Sequence, residues 1–287
     1  MGFIWMILAA IGFAISVILM RIMTQTMSMP TYQIGIWRFI IAGSLMWLIN
    51  PILQGNTELP KRRPFWLIGL GLIFSISGYS ALFALEKLPS SIYIIIIYIY
   101  PSLVVLYSFL SHRPLPYLYW LGLPLSFLGL VLTAYQPGKP LEINLFGLVM
   151  TLLNALSRAA YFLLSEKVFN GVENRLSGTN WVMSGAMLVS LGLIPIFGIE
   201  FPSTPREGIL LFIYSVFGTM MPILSMNVGL QLLGAARSSV IITIQPVLTI
   251  IIAVLLLNEN LTFQQWIGGL LVVIAVILLQ SSPDRSI

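Results

Sequence analysis

Long uninterrupted apolar runs recur along the whole chain, each close to the roughly 20 residues that a helix needs to span the hydrocarbon core of a bilayer. Backbone amides in lipid must be satisfied within the structure, which leaves only helices or a closed barrel. Barrel strands alternate apolar and polar side chains, and these runs do not. Only 8% of the 287 residues are charged, whereas a soluble domain carries roughly 25%. The sequence therefore predicts an all-α integral membrane protein.

Turn residues separate ten such runs, and the clearest turn is Pro-Gly-Lys-Pro at 137–140. No connection between the runs is long enough to fold as a separate domain. The first run lacks the basic start and the cleavage site of a signal peptide, so we expect it to be retained as a span. We predict ten transmembrane helices over residues 3–23, 31–50, 64–84, 91–111, 117–135, 145–165, 180–199, 208–230, 236–257 and 263–280.

The distribution of basic residues predicts how the chain is oriented. An even number of spans places both termini on one side of the membrane. If that side is the cytoplasm, eight of the lysines and arginines between spans face inwards and four face outwards. This positive-inside bias, much of it from the triplet at 61–63, favours cytoplasmic termini in the inner (cytoplasmic) membrane. Because most basic residues stand singly between spans, we expect no nucleic-acid partner.

The second half of the chain repeats landmarks of the first half at an offset of 145 residues. Leu88 is followed thirteen residues later by Pro101. Leu233 is followed thirteen residues later by Pro246. Chance similarity among apolar helices is the alternative explanation, but the paired prolines favour an internal repeat.

The same offset pairs Gly2 with Gly147 and divides the chain into two five-helix repeats, 1–137 and 138–287. Five is an odd number, so the second repeat must enter the membrane in the opposite orientation to the first. Such inverted-topology repeats are found in many transporters, whose substrate sites lie near the membrane midplane between the repeats. The predicted fold is one transmembrane domain of ten helices built from two inverted repeats.

These landmarks resemble the drug/metabolite transporter superfamily, specifically its EamA-type members. The resemblance implies ten helices, cytoplasmic termini and a central cavity lined by helices one to four and six to nine. The first predicted helix has no acidic residue where the small multidrug-resistance branch has an embedded glutamate, which argues against that branch's proton-coupled export of cationic drugs. The residues that carry the resemblance are Leu88-Pro89, Leu233-Gly234-Ala235, Pro101, Pro246, Leu257-Asn258-Glu259 and Trp266-Ile267-Gly268-Gly269.

The sixth predicted helix carries one polar stripe, formed by Thr151, Asn154, Arg158, Tyr161 and Ser165 at spacings of three and four residues. A stripe facing lipid would leave its hydrogen-bonding groups unpaired, so we expect it to face a cavity or a neighbouring helix. We interpret Arg158 as the group that binds a substrate anion, such as a carboxylate, through its bidentate fork. The alternative is an arginine that pairs within the protein and fixes helix packing.

Other candidates for the substrate site lie on several predicted helices. Arg38 is the second arginine inside a span, although it could instead snorkel to a membrane face. Pro101 and Pro246 lack the amide that an unbroken helix needs, so we predict kinks there that serve as gating hinges. The further candidate lining residues are Asn154, Tyr161, Gln245, Tyr100, Tyr79 and Asn227.

The chain offers little for catalysis or for metal binding. It has one histidine and no cysteine, so no nucleophilic triad or metal-ligand cluster can be assembled from them. We expect neither an enzyme nor a metal or other cofactor. No acidic residue lies in the middle of a span, which leaves uniport, exchange, and coupling through a helix-end acid such as Glu166 all open.

The sequence as a whole predicts a secondary transporter of small polar metabolites. Amino acids or related carboxylated solutes are the expected substrates, exported by alternating access. The alternatives are an exporter of drugs or sugar-like solutes, or a non-transporting scaffold or channel. The expected partners are the lipid bilayer and a small-molecule substrate, with the protein a monomer or a homodimer.

Overall fold

A computed structural model of the chain describes residues 1–54, 64–88, 90–111, 117–134, 144–172, 174–257 and 262–280. These ranges are built of helices and contain no β-strand, so the prediction of an all-α fold is confirmed for them. The helices are α1 (Gly2–Thr26), α2 (Thr31–Gln54), α3 (Pro64–Lys87), α4 (Ser90–Ile97), α5 (Tyr100–Leu110), α6 (Leu118–Ala134), α7 (Leu145–Phe169), α8 (Arg175–Phe197), α9 (Pro205–Ser215), α10 (Met221–Ile241), α11 (Gln245–Leu257) and α12 (Phe263–Gln280).

Several of these helices are long and apolar enough to cross a membrane. By length and composition, six stretches of the described chain qualify: Gly2–Thr24, Thr31–Asn50, Pro64–Lys87, Leu145–Phe169, Arg175–Phe197 and Pro205–Thr249. Three shorter apolar helices lie within α4–α5, α6 and α12. Large apolar side chains cover much of the outer surface, as expected where the solvent is lipid. The chain is an integral, multi-pass membrane protein.

The prediction of one continuous helix over 91–111 is wrong, because the chain forms two helices there. α4 ends at Ile97 and α5 begins at Tyr100. Pro101 has no amide hydrogen to donate to the carbonyl of Ile97, so the helical ladder is interrupted where the sequence predicts a kink.

A corresponding interruption lies in the second half of the chain. α10 is followed by a 3₁₀ turn at Ile242–Ile244, and α11 begins at Gln245, immediately before Pro246. The helix predicted over 236–257 is therefore also divided. The two interruptions lie at equivalent positions of the two halves, about 145 residues apart in the sequence. A gating role for Pro101 and Pro246 remains a prediction.

The seventh and eighth predicted helices begin earlier than the hydrophobic pattern indicates, because capping side chains set their starts. Asn174 accepts a hydrogen bond from the amide of Ser177 at 2.9 Å and starts α8. Thr204 accepts one from the amide of Glu207 at 3.3 Å and starts α9. These are N-cap bonds. A π-helical turn at Val216–Met220 joins α9 to α10.

Gly234 divides α10 into two helical pieces. Its φ of 77° and ψ of 170° form a conformation that only glycine adopts without strain. Gly234→Ala should therefore lower the stability of the fold by about 1–3 kcal/mol, measured as a lower midpoint of thermal unfolding in detergent. Gly208→Ala is the matched control, because an added Cβ would meet nothing closer than Pro202 Cγ at 3.9 Å. Equal midpoints for the two variants would contradict the argument.

The two halves of the chain pack against each other in reciprocal pairs. α1 packs along α10 and α3 packs along α7, while α2 packs on α8 and α6 packs on α12. Gly2 lies against Leu233, and its counterpart Gly147 lies against Leu88, the counterpart of Leu233. Exchanging each helix for its counterpart in the other half thus returns the same contacts. The predicted repeat boundary at 137–138 lies outside the described residues.

Candidate functional site

The polar stripe of α7 lies inside the helix bundle. Thr151, Asn154, Tyr161 and Ser165 are buried, whereas Arg158 between them is only half-buried. α7 starts at a cap in which the side chain of Asn144 accepts a hydrogen bond from the amide of Gly147 at 3.1 Å. The 3.6-residue period of the helix then turns every member of the stripe towards the same neighbours.

Aromatic side chains surround the guanidinium of Arg158. Its Cζ lies 5.5 Å from the centre of the Tyr100 ring and 5.9 Å from that of Phe13, both within the range of a cation–π contact. The phenol groups of Tyr93, Tyr98 and Tyr100 lie near the guanidinium, and Tyr98 is its hydrogen-bonding neighbour. The site is therefore a cation held among aromatic rings and phenol hydroxyls.

Arg158 has no carboxylate partner among the residues that the structure describes. The Tyr98 hydroxyl is a close polar neighbour of the guanidinium, and the side chain is half-buried. A charged group inside a membrane protein that has no carboxylate partner is a candidate substrate-binding position.

Asn154 connects α7 to two neighbouring helices near Arg158. Its Nδ2 donates to the backbone oxygen of Ser77 at 2.8 Å and to the hydroxyl of Tyr93 at 3.3 Å. These bonds tie α7 to α3 and to α4. Both donors of the amide group are thus used within the protein, so Asn154 positions Tyr93 next to Arg158.

Tyr161 and Asn227 bind each other. The Tyr161 hydroxyl donates to Asn227 Oδ1 at 2.7 Å, and Asn227 Nδ2 donates to Thr179 Oγ1 at 3.2 Å. The bonds join α7, α10 and α8. Tyr79 is engaged similarly, since its hydroxyl lies 2.9 Å from Ser190 Oγ on α8. In this conformation the three predicted lining residues hold helices together, and a role in lining the cavity remains a prediction.

Arg38 lies inside the bundle rather than at its edge. Its Nε donates to Thr219 Oγ1 at 2.7 Å and its Nη1 donates to the Tyr214 hydroxyl at 3.1 Å. Its Cζ lies 4.9 Å from the centre of the Phe39 ring and 5.2 Å from that of Tyr214. Thr219 belongs to the π-helical turn, a feature that often marks functional sites. These buried partners do not support snorkelling.

Some buried polar atoms without a hydrogen-bond partner of standard geometry lie where helices are interrupted, while others lie within α2, α7, α8 and α10. Within the described residues, the first group comprises the hydroxyls of Tyr98 and Tyr100 and Gln245 Oε1. The two tyrosines flank the break between α4 and α5, and Gln245 opens α11. Buried polar groups are normally paired, so these atoms are unusual features of the two interruptions.

A row of packed aromatic rings runs from Arg38 on α2 to Tyr161 on α7. The Cζ of Arg38 lies 4.9 Å from the centre of the Phe39 ring, and the ring centres are 5.8 Å apart from Phe39 to Phe74 and 5.6 Å apart from Phe74 to Tyr161. Among the site residues that the sequence predicted, Tyr100 on α5 contacts Arg158 on α7, and Tyr161 contacts Asn227.

Sequence reasoning missed several residues of the site, among them Phe13, Tyr98, Tyr214 and Thr219. Phe13 had a usable signal, because the 145-residue offset maps it onto Arg158. In an arrangement with two-fold pseudosymmetry, a residue near the axis contacts its own counterpart. The π-helical turn that presents Thr219 shifts the helical period, so no spacing argument finds it.

No group of three histidine, cysteine, aspartate or glutamate side chains that could hold a metal ion occurs in the part of the chain that the structure describes. The residues around Arg158 are aromatic rings, hydroxyls and amides.

The chain is similar to known proteins both in sequence and in fold. The sequence profile of the EamA-like transporter family matches residues 1–135 and 145–281. An uncharacterized transporter of Synechocystis sp. is 26% identical, over 97% of this chain and 93% of its own length. The uncharacterized inner membrane transporter YedA of Escherichia coli is 24% identical, over 87% and 81% of the two chains. One solved crystal structure superposes with a TM-score of 0.81 at 16% identity, over 96% of this chain and 95% of that chain.

Proposed function

Because this chain belongs to the EamA-like transporter family, we propose that it exports small carboxylated metabolites, amino acids or related solutes, across the inner membrane by alternating access. The family membership identifies a multi-pass membrane transporter. The substrate class, the direction and the mechanism are our proposal. Export is the direction that the resemblance to this family suggests.

The observation that carries the substrate class is the environment of Arg158. Its side chain is half-buried and has no carboxylate partner in the described ranges. An arginine keeps its charge at any physiological pH and presents a planar fork that matches a carboxylate. The aromatic rings of Phe13 and Tyr100 are suited to contact the organic part of the same solute.

The reciprocal packing of the halves supports ten spans in two inverted repeats. The stretch Pro205–Thr249 is 45 residues long, about twice the length of one span, and Gly234 divides it. Both repeats then contain one interrupted helix next to the site. Interrupted helices at the interface of two repeats are typical of substrate sites in secondary transporters.

This arrangement favours a carrier over a static channel or scaffold. Tyr161 and Tyr79 bind across helix interfaces through neutral hydrogen bonds, which can be exchanged between two packed states at small cost in free energy. Interior packing is bistable rather than continuously deformable, so such an interface suits two discrete conformations.

Counterflow in proteoliposomes tests the proposal. Vesicles loaded with an unlabelled amino acid should take up the labelled form saturably, and faster than unloaded vesicles do. The same counterflow assay is carried out with cationic dyes, sugars and nucleosides, which represent the other substrate classes. Uptake that is linear in concentration and insensitive to internal solute would indicate a channel. Counterflow of cationic or neutral solutes alone would contradict the carboxylate assignment.

A further inference from the structure

We propose that Gln231 is a gating residue, which holds closed the end of the helix bundle where Leu233 meets Gly2. The inference rests on the proposed function, since alternating access requires a gate at each membrane face. It assigns one of those gates to a specific side chain and identifies which end of the carrier is harder to open.

Gln231 ties α10 to the connection between α7 and α8. Its Nε2 donates to the backbone oxygen of Phe169 at 3.0 Å and to that of Val172 at 2.8 Å. Its Oε1 accepts a hydrogen bond from Arg175 Nε at 2.5 Å. Phe169 ends α7 and Arg175 begins α8. We call these three bonds the Gln231 latch. One of them has a charged donor, which makes it stronger than a bond between neutral groups.

The latch lies next to a contact between α10 and α1. Gln231 precedes Leu233 by two residues and Gly234, which divides α10, by three. It therefore fixes the end of the helical piece that carries Leu233. Leu233 in turn packs against Gly2 at the start of α1, a contact that we call the Leu233 seal. Movement of this end of α10 away from Gly2 and from the α7–α8 connection breaks all three bonds of the latch.

The first half of the chain cannot form an equivalent latch. At the 145-residue offset, Glu86 takes the place of Gln231, and Pro30 takes the place of Arg175. An ionised carboxylate accepts hydrogen bonds but cannot donate to backbone oxygens, and the side chain of proline has no polar atom. Glu86 is half exposed, and its polar side-chain contact in the described ranges is the ion pair with Lys87 at 3.3 Å.

The contact between Gly147 and Leu88, which we call the Leu88 seal, is the counterpart of the Leu233 seal. Another glutamine, Gln33, binds Gly198 and Glu200 at 3.2 and 3.3 Å. Those bonds join α2 to the segment after α8, whereas the Leu88 seal joins the end of α3 to α7. Among the described residues, the Leu233 seal is thus reinforced by a latch that has no counterpart at the Leu88 seal.

Cysteine accessibility tests the inference, because the chain has no cysteine of its own. Met6 lies one helical turn inside the Leu233 seal, and its counterpart Thr151 lies one turn inside the Leu88 seal. Both side chains are fully buried in this structure. Met6→Cys and Thr151→Cys therefore report the opening of the two ends separately, through the rate of labelling by N-ethylmaleimide in proteoliposomes.

Gln231→Met, added to each reporter protein, should raise labelling of Met6→Cys about tenfold or more, as expected for the net loss of one or two hydrogen bonds. It should not raise labelling of Thr151→Cys, because a shift between two conformations opens one end only. Methionine keeps the length of the glutamine side chain and removes both its donor and its acceptor groups.

Gln264→Met is the matched control. Gln264 also donates from Nε2 to a backbone oxygen, that of Leu132 at 3.3 Å, but it joins α12 to α6. Both labelling rates should stay within about twofold of those without it, a few tenths of a kcal/mol. Arg175→Met, which removes only the charged bond of the latch, should act in the same direction as Gln231→Met with a smaller factor. It decides the matter if Gln231→Met does not fold.

Faster labelling of both reporters would indicate a loosened bundle and would overturn the gating role, as would unchanged labelling of Met6→Cys. Counterflow by the wild type is measured in parallel. Unchanged labelling with normal counterflow would overturn the gating role alone. Absence of saturable counterflow in the wild type would overturn the proposed function, whatever the labelling rates.

Discussion

Arg158→Met is expected to reduce transport of carboxylated substrates by about a hundredfold or more, because loss of one partner of a desolvated charge pair costs about 2–5 kcal/mol. Methionine has a similar reach but neither charge nor hydrogen-bond donors. The variant should nevertheless fold, since Arg158 is half-buried, makes no ion pair with the described residues, and methionine can keep its contacts with the rings of Phe13 and Tyr100. The measurement is initial uptake into proteoliposomes, alongside thermal unfolding in detergent.

Arg158→Lys separates charge from geometry. Lysine keeps the positive charge but lacks the planar fork, so we expect transport between that of the wild type and that of the methionine variant. Arg206→Met should transport like the wild type, because Arg206 is exposed at the start of α9. Wild-type uptake by a folded Arg158→Met protein would assign Arg158 to packing, the alternative that the sequence left open.

Gly71→Ala and Gly185→Ala are expected to cause the largest loss of stability among single methyl additions. A Cβ on Gly71 would overlap the backbone oxygen of Val182 and lie 2.8 Å from the Cα of Gly185. A Cβ on Gly185 would in turn overlap the backbone oxygen of Ile68. Since backbone cannot rotate away as a side chain can, α3 and α8 must separate. Small residues that permit close helix approach are typical of membrane interfaces.

The expected loss is about 3 kcal/mol or more, the upper end for overpacked interiors, seen as a lowered unfolding midpoint or as failure to purify folded protein. Gly69→Ala and Gly192→Ala are matched controls on the same two helices, because an added Cβ there meets no atom within 4 Å. If all four variants unfolded at the same temperature, the close approach of α3 and α8 would not be a determinant of stability.

The helices and their interruptions could be predicted from sequence because their causes are local. Apolar run length predicts the spans, and the absent amides of Pro101 and Pro246 predict the breaks. The inward position of Arg158 follows from the period of α7, since burying the stripe satisfies its polar groups. These predictions need only properties of one helix at a time.

The partners of the site residues could not be predicted in the same way, because they depend on how helices dock. Nothing local distinguishes Asn227 as the acceptor for Tyr161 from other polar residues on α10. The contact of Arg38 with Thr219 needs the π-helical turn, whose extra residue the hydrophobic pattern does not reveal. The internal repeat is the one long-range signal in the chain, and it pairs Phe13 with Arg158.

The two glycine–leucine contacts, Gly2 with Leu233 and Gly147 with Leu88, are copies of one another. In the proposed ten-span arrangement they lie at opposite membrane faces. Equivalent contacts at the two faces would stabilise helix packing at each face to a similar extent, so this part of the structure would favour neither the inward-facing nor the outward-facing form.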